Sequence, residues 1–144
     1  MKIAQILKIK GHEVVTVKPS ETIVGCAAQL KQKNIGAMIV SSNGLTIEGI
    51  ISERDVACGV ASHWRELQHL KVSDLMSKLV ITCSSKDNIA DVAKTMTNRR
   101  IRHLPVQDGE KLVGIVSVGD VVKYRLEEVE QETNILRDYA IAIN

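Results

Sequence analysis

The strongest hydrophobic signal along the chain is helical and occurs twice. Ile23, Cys26, Ala27 and Leu30 recur at i, i+3, i+4 and i+7, and Ile89, Val92, Ala93 and Met96 repeat that spacing. Each set predicts a helix with one apolar face. Ahead of each lies a short apolar run, Val14–Val17 and Leu79–Cys83, that predicts a strand. Between run and helix stand Pro19-Ser20-Glu21 and Ser84-Ser85-Lys86-Asp87, residues suited to the free amides of a helix start. Further on, Ala37–Val40 and Ile47–Ile51 flank Ser42-Asn43-Gly44, while His103–Val106 and Leu112–Val116 flank Asp108-Gly109. Both arrangements predict two strands joined by a turn. A second helix is expected to open at Ser52, and another at Ser117.

The two β-α-β-β-α units are copies of one another. Gly49-Ile50-Ile51-Ser52-Glu53-Arg54-Asp55-Val56 aligns with Gly114-Ile115-Val116-Ser117-Val118-Gly119-Asp120-Val121, five of eight positions being identical at an offset of 65. Upstream the offset is 66 and pairs Thr16 with Thr82, Ile23 with Ile89, Leu30 with Met96, Ile35 with Ile101 and Val40 with Val106. The one-residue difference falls between Ser41 and Thr46, in a loop where length changes cost least. Even the lead-in Lys2-Ile3-Ala4-Gln5-Ile6-Leu7 has an echo in Lys71-Val72-Ser73-Asp74-Leu75-Met76. A lone three-stranded unit leaves a sheet face bare. The expected fold is therefore α/β (α+β), with two repeats, 8–62 and 71–125, packed sheet to sheet about a pseudo-two-fold inside one body of 1–144. A helix over 121–140 continues from the second repeat, and clefts are left between the units.

Composition narrows the function. Nineteen basic and seventeen acidic residues give a net charge of +2, and no basic block or aromatic platform accompanies it, so nucleic acid is not an expected partner. The start runs into Lys8 and Lys10 without a leader-like apolar stretch, and no apolar run reaches membrane-spanning length. A cytoplasmic protein is expected. Cys26, Cys58 and Cys83 are odd in number and set in apolar segments, which suggests buried thiols rather than disulfides or zinc. His12, His63 and His69 lack a ligand spacing, and no nucleophile, base and orienting group form a set. Neither a metal nor an enzyme is expected.

The order and length of the units, the two Gly-Ile-x-Ser-x-x-Asp endings and the segment Ile101-Arg102-His103-Leu104-Pro105-Val106 resemble CBS repeats paired into a Bateman module. The resemblance spans residues 1 to about 125. It implies adenosine-type ligands (AMP, ADP or ATP, with NAD or S-adenosylmethionine as further options) bound in the inter-repeat clefts without catalysis and with no required cofactor. It also implies the residues: Asp55 and Ser52 in one cleft with Thr82 crossing to it, and Asp120 and Ser117 in the other with Thr16. Arg102 and His103 are expected as phosphate ligands, favouring the Ser117–Asp120 cleft, because the first unit has Gly36-Ala37 at those positions. Arg54, Arg99 and Arg100 are additional sources of charge. Independently of any family, a carboxylate in a first helical turn can accept two hydrogen bonds from a diol, while free amides there favour phosphate. Ser-x-x-Asp is also a helix capping pattern, and an arginine run also suits a solvated helix end.

Val122, Leu126, Val129, Thr133, Leu136, Ala140 and Ile143 alternate spacings of four and three, a heptad stripe. Two outcomes fit: a helix lying on its own core, or a homodimer contact, the latter in keeping with the discs that paired Bateman modules form. The other expectation for the chain as a whole is an interaction protein with empty clefts that recruits a partner through this helix.

Overall fold

Two small sheets, one per repeat, organise the computed structural model, which describes residues 1–143. The first repeat contains β1 (Thr16–Val17), α2 (Ile23–Lys33), β2 (Ala37–Val40), β3 (Gly49–Ser52) and α3 (Glu53–His63), preceded by α1 (Ile3–Lys10). A short lead-in helix, α4 (Val72–Leu75), opens the second repeat, followed by α5 (Ile89–Arg99), β4 (His103–Asp108), β5 (Lys111–Ser117) and α6 (Val118–Ile143). In the first sheet β1 runs parallel to β2, and β2 antiparallel to β3. The second sheet is the antiparallel pair β4-β5.

The apolar stripes seen in the sequence are the inner faces of the helices. Ile23, Cys26 and Leu30 of α2 are buried with Met38, Val40 and Ile51, and Ile89, Val92 and Met96 of α5 are buried with Leu104, Val106 and Val116. Both helices end on a left-handed residue at matching positions, Asn34 and Arg100. Asparagine tolerates that conformation; arginine is seldom found there.

One expected strand is absent. Leu79–Cys83 provides only a single parallel bridge, Cys83 to Val106, and Leu79 is 94% exposed. Only its end meets β4 and the core, through Cys83 and partly Ile81, so the run does not extend as a strand. The first strand is likewise shorter than Val14–Val17, because only Thr16 and Val17 reach partners on β2. Cys26 and Cys83 are buried, as expected of thiols in apolar segments, but Cys58 is exposed on α3.

The lead-ins exchange places. Ile3, Ile6 and Leu7 of α1 are fully buried in the core of the second repeat, while Val72, Leu75 and Met76 pack into the core of the first. Matching bridges seal the exchange, Lys2 to Asn88 and Thr22 to Lys71. Two glycines make room: a Cβ on Gly114 would sit 2.7 Å from Leu7, and one on Gly59 would sit 2.4 Å from Leu75. Each repeat therefore completes its core with the other's leading segment, which fixes their mutual orientation.

Candidate functional site

Both strand-to-helix junctions are capped in the same way. The Ser52 amide and hydroxyl donate to Asp55 Oδ2 at 2.8 and 3.1 Å, and the Asp55 amide donates back to Ser52 Oγ at 3.3 Å. At the second junction the Ser117 amide donates to Asp120 Oδ2 at 2.8 Å and the Asp120 amide to Ser117 Oγ at 3.1 Å. Each aspartate is thus held in one rotamer by its own helix start. Capping and ligand binding are compatible, since a carboxylate has a second oxygen with free lone pairs.

What surrounds the two carboxylates differs. Ser52, Arg54 and Asp55 line a cavity of about 340 Å³ with Gly36, Ala37, Ile50, Glu53 and Ser77, and its far wall is Arg100, Ile101, Arg102 and His103 from the other repeat. Arg102 and His103 were expected beside Ser117 and Asp120; they line the cavity of Ser52 and Asp55, while the His103 backbone pairs with Ser117 and the Arg102 carbonyl accepts from the Val118 amide. The segment entering each repeat's middle strand is hydrogen-bonded to its own helix start, Gly36 to Glu53 and Arg102 to Val118, and in the second repeat it also reaches the first repeat's junction. Gly36 and Ala37 line that same cavity, and Ala37 also borders the cleft beside Lys10. Thr16 and Thr82 do not cross in this way. Thr16 lines a separate recess with Lys18, Ser20, Thr22 and Gln29, and Thr82 is exposed just before the Cys83 bridge.

At the second junction, Asp120 is already paired. Lys10, at the end of the exchanged helix α1, donates from Nζ to Asp120 Oδ2 at 2.7 Å and to the Ile115 carbonyl at 3.0 Å. Burial works to raise the Asp120 pKa, but the hydrogen bonds from Lys10 and the Ser117 amide outweigh it and hold the carboxyl below its ordinary value. The neighbouring cleft, lined by Lys10, Gly11, Glu13, Val15, Lys33, Ile35, Ala37 and Ile115, contains neither Ser117 nor Asp120. Lys10 left no mark in the sequence. Nothing in its local pattern separates it from Lys8, and only the exchange of lead-ins brings it to Asp120.

His103 sits where the repeats meet. Its backbone pairs with Ser117 across β4-β5, and its ring lies so close to Gly36 that a Cβ there would come within 2.9 Å. Gly36 is thus another residue the sequence did not single out, required for that close approach. Burial, followed by the nearby Lys10 ammonium, lowers the His103 pKa from its ordinary 6.5. The half-buried imidazole therefore resists protonation. Among the described residues no group of three His, Cys, Asp or Glu side chains is placed to hold a metal ion, and no helix is long and apolar enough to cross a membrane.

Two copies of one unit, each completing the other's core and sharing a polar cavity across their junction, define a paired-repeat module of the regulatory, ligand-binding kind. The CBS domain family matches residues 7–61 and again 72–127, and the chain belongs to that family. It is 35% identical to a CBS domain-containing protein of Bacillus subtilis, YhcV, over 76% of each chain. A solved CBS-domain containing protein from Agrobacterium tumefaciens superposes with a TM-score of 0.84 at 36% identity, over 87% of this chain and 99% of that one. Another solved CBS domain pair, crystallised with 5-methylthioadenosine and S-adenosylmethionine, superposes with a TM-score of 0.74 at 25% identity, over 86% of this chain and 98% of that one.

Proposed function

We propose that this protein is a non-catalytic sensor of an adenine nucleotide, and that the ligand occupies the cleft of Ser52 and Asp55. The observation that carries this reading is the convergence on one cavity of a pre-oriented carboxylate, Asp55, with Arg54, Arg100, Arg102 and His103. Asp55 receives the ribose hydroxyls, the arginines and His103 receive phosphate, and Ile50, Ala37 and Ile101 offer apolar surface to the base. A volume of about 340 Å³ lies at the small end of ligand sites, which favours AMP, ADP or ATP over a dinucleotide such as NAD. The adenosine-type ligands bound by the similar CBS pair support the nucleoside part of the assignment.

Asp120 is the weaker site in this reading, because a ligand there has first to displace Lys10. Ser117 then acts as a helix cap, and Thr16 and Thr82 make no contribution to the occupied cleft. The output is a change in the relation between repeats, since the ligand touches both and favours whichever arrangement it binds more tightly. We also propose that the working form is a cytoplasmic homodimer. A hexameric CBS-CP12 protein from bloom-forming cyanobacteria, 27% identical over 99% of this chain with a TM-score of 0.76, supports assembly as a property of this architecture.

Thermal unfolding with and without millimolar AMP, ADP, ATP, NAD and S-adenosylmethionine tests the sensor. A ligand of the native state raises the midpoint in proportion to the logarithm of its concentration, and the mononucleotides are expected to give the largest rise. A midpoint indifferent to all five leaves the alternative, an interaction protein with unoccupied clefts.

A further inference from the structure

The helix α6 extends well beyond the body that supports it. Val121 and Tyr124 are buried, Arg125 and Glu128 half-buried, and every residue from Val129 to Ile143 is exposed. That leaves about 22 Å of unsupported helix at 1.5 Å per residue, a length that is marginal alone in water. The exposed stretch is also apolar on one side. Val122, Leu126, Val129, Leu136 and Ile143 are all open to solvent, Leu136 at 68%, and with Thr133 and Ala140 they occupy the a and d positions of successive heptads.

The flanking charges say what covers this stripe. With Leu126, Thr133 and Ala140 at a, the g positions are Arg125 and Glu132, and the e positions following them are Glu130 and Arg137. In a parallel, in-register pair each g faces the next e of the other helix. Arg125 then lies beside the partner's Glu130, and Glu132 beside the partner's Arg137, both opposite in sign and both repeated by the two-fold. Arg125 is partly committed to Glu128 of its own helix, at 3.0 Å. Glu132 and Arg137 have no opposite charge three or four positions away on their own helix, which leaves both free to pair across a helix seam. A fully overlapped antiparallel pair sets Glu132 against Tyr139 instead.

We infer that α6 pairs with the α6 of a second copy, parallel and in register, with Leu126, Val129, Leu136 and Ile143 in the seam and Glu132 opposite the partner's Arg137. This rests on the homodimer reading above and adds the surface and the orientation. Thr133 at an a position meets its own copy in that register.

Sedimentation equilibrium of the full chain tests it, with circular dichroism to confirm that each variant is folded. The wild type is expected to be a dimer and Leu136→Glu a monomer. Glu132→Arg or Arg137→Glu alone turns both attractive contacts repulsive and is expected to weaken the dimer about tenfold, whereas the double reversal restores it. A monomeric wild type overturns both this pairing and the homodimer reading. A Leu136→Glu variant that remains dimeric overturns the pairing and leaves a dimer through another face. A double reversal no better than either single one overturns the parallel register, as an antiparallel pair or a foreign partner would.

Discussion

In the proposed site, Arg100 sets binding against stability. It holds a left-handed backbone at φ 54°, where the equivalent position of the first repeat has Asn34, and it lines the cavity. A non-glycine residue in that conformation costs roughly 1 kcal/mol. Arg100→Asn is therefore expected to raise the thermal midpoint slightly while weakening nucleotide binding, and a variant that binds as tightly as wild type removes Arg100 from the site. His103 gives a pH dependence of definite sign. Its folded-state pKa lies below its ordinary 6.5, so the native state resists protonation. The stability it contributes is present above pH 6.5 and is lost as the pH falls through the lowered value. Urea unfolding at pH 7.5 and 5.0 is expected to show a larger loss for wild type than for His103→Gln, and equal losses place the titrating group elsewhere.

The exchange of leading helices carries much of the stability. Leu7 lies near the start of the chain yet is wholly buried in the core of the second repeat. Leu7→Ala is expected to cost about 2–5 kcal/mol in urea unfolding, as a core leucine would, and a loss within a few tenths of a kcal/mol means that α1 is not docked there. The helices α2 and α5, the paired strands and both capped junctions were legible in the sequence, because each rests on a local period or a capping residue. Even the lead-ins were recognisable as copies. Their destination was not, since nothing in Lys2–Leu7 says which core it enters. The same gap hid the second neighbourhood of Arg102 and His103: their place beside Ser117 was readable, but their reach to the cavity of Ser52 and Asp55 depends on how one repeat is turned toward the other. Leu79–Cys83 misled because hydrophobicity alone does not create a sheet edge.

Taken together, the two repeats make an asymmetric pair from similar parts. One junction gathers arginines around a carboxylate that has no cationic partner among the described residues; the other has its carboxylate neutralised by Lys10. On the proposed function, such a module responds to a single ligand per chain, and the projecting α6 passes the change to a second copy. Titration calorimetry of ATP and AMP into the wild type, Asp55→Asn and Asp120→Asn asks most directly whether the first junction is the receptor. The expected result is one saturable site per chain, weakened by about 1–3 kcal/mol in Asp55→Asn and little changed in Asp120→Asn. Undiminished binding in a folded Asp55→Asn variant, or no binding by the wild type at millimolar nucleotide, contradicts it.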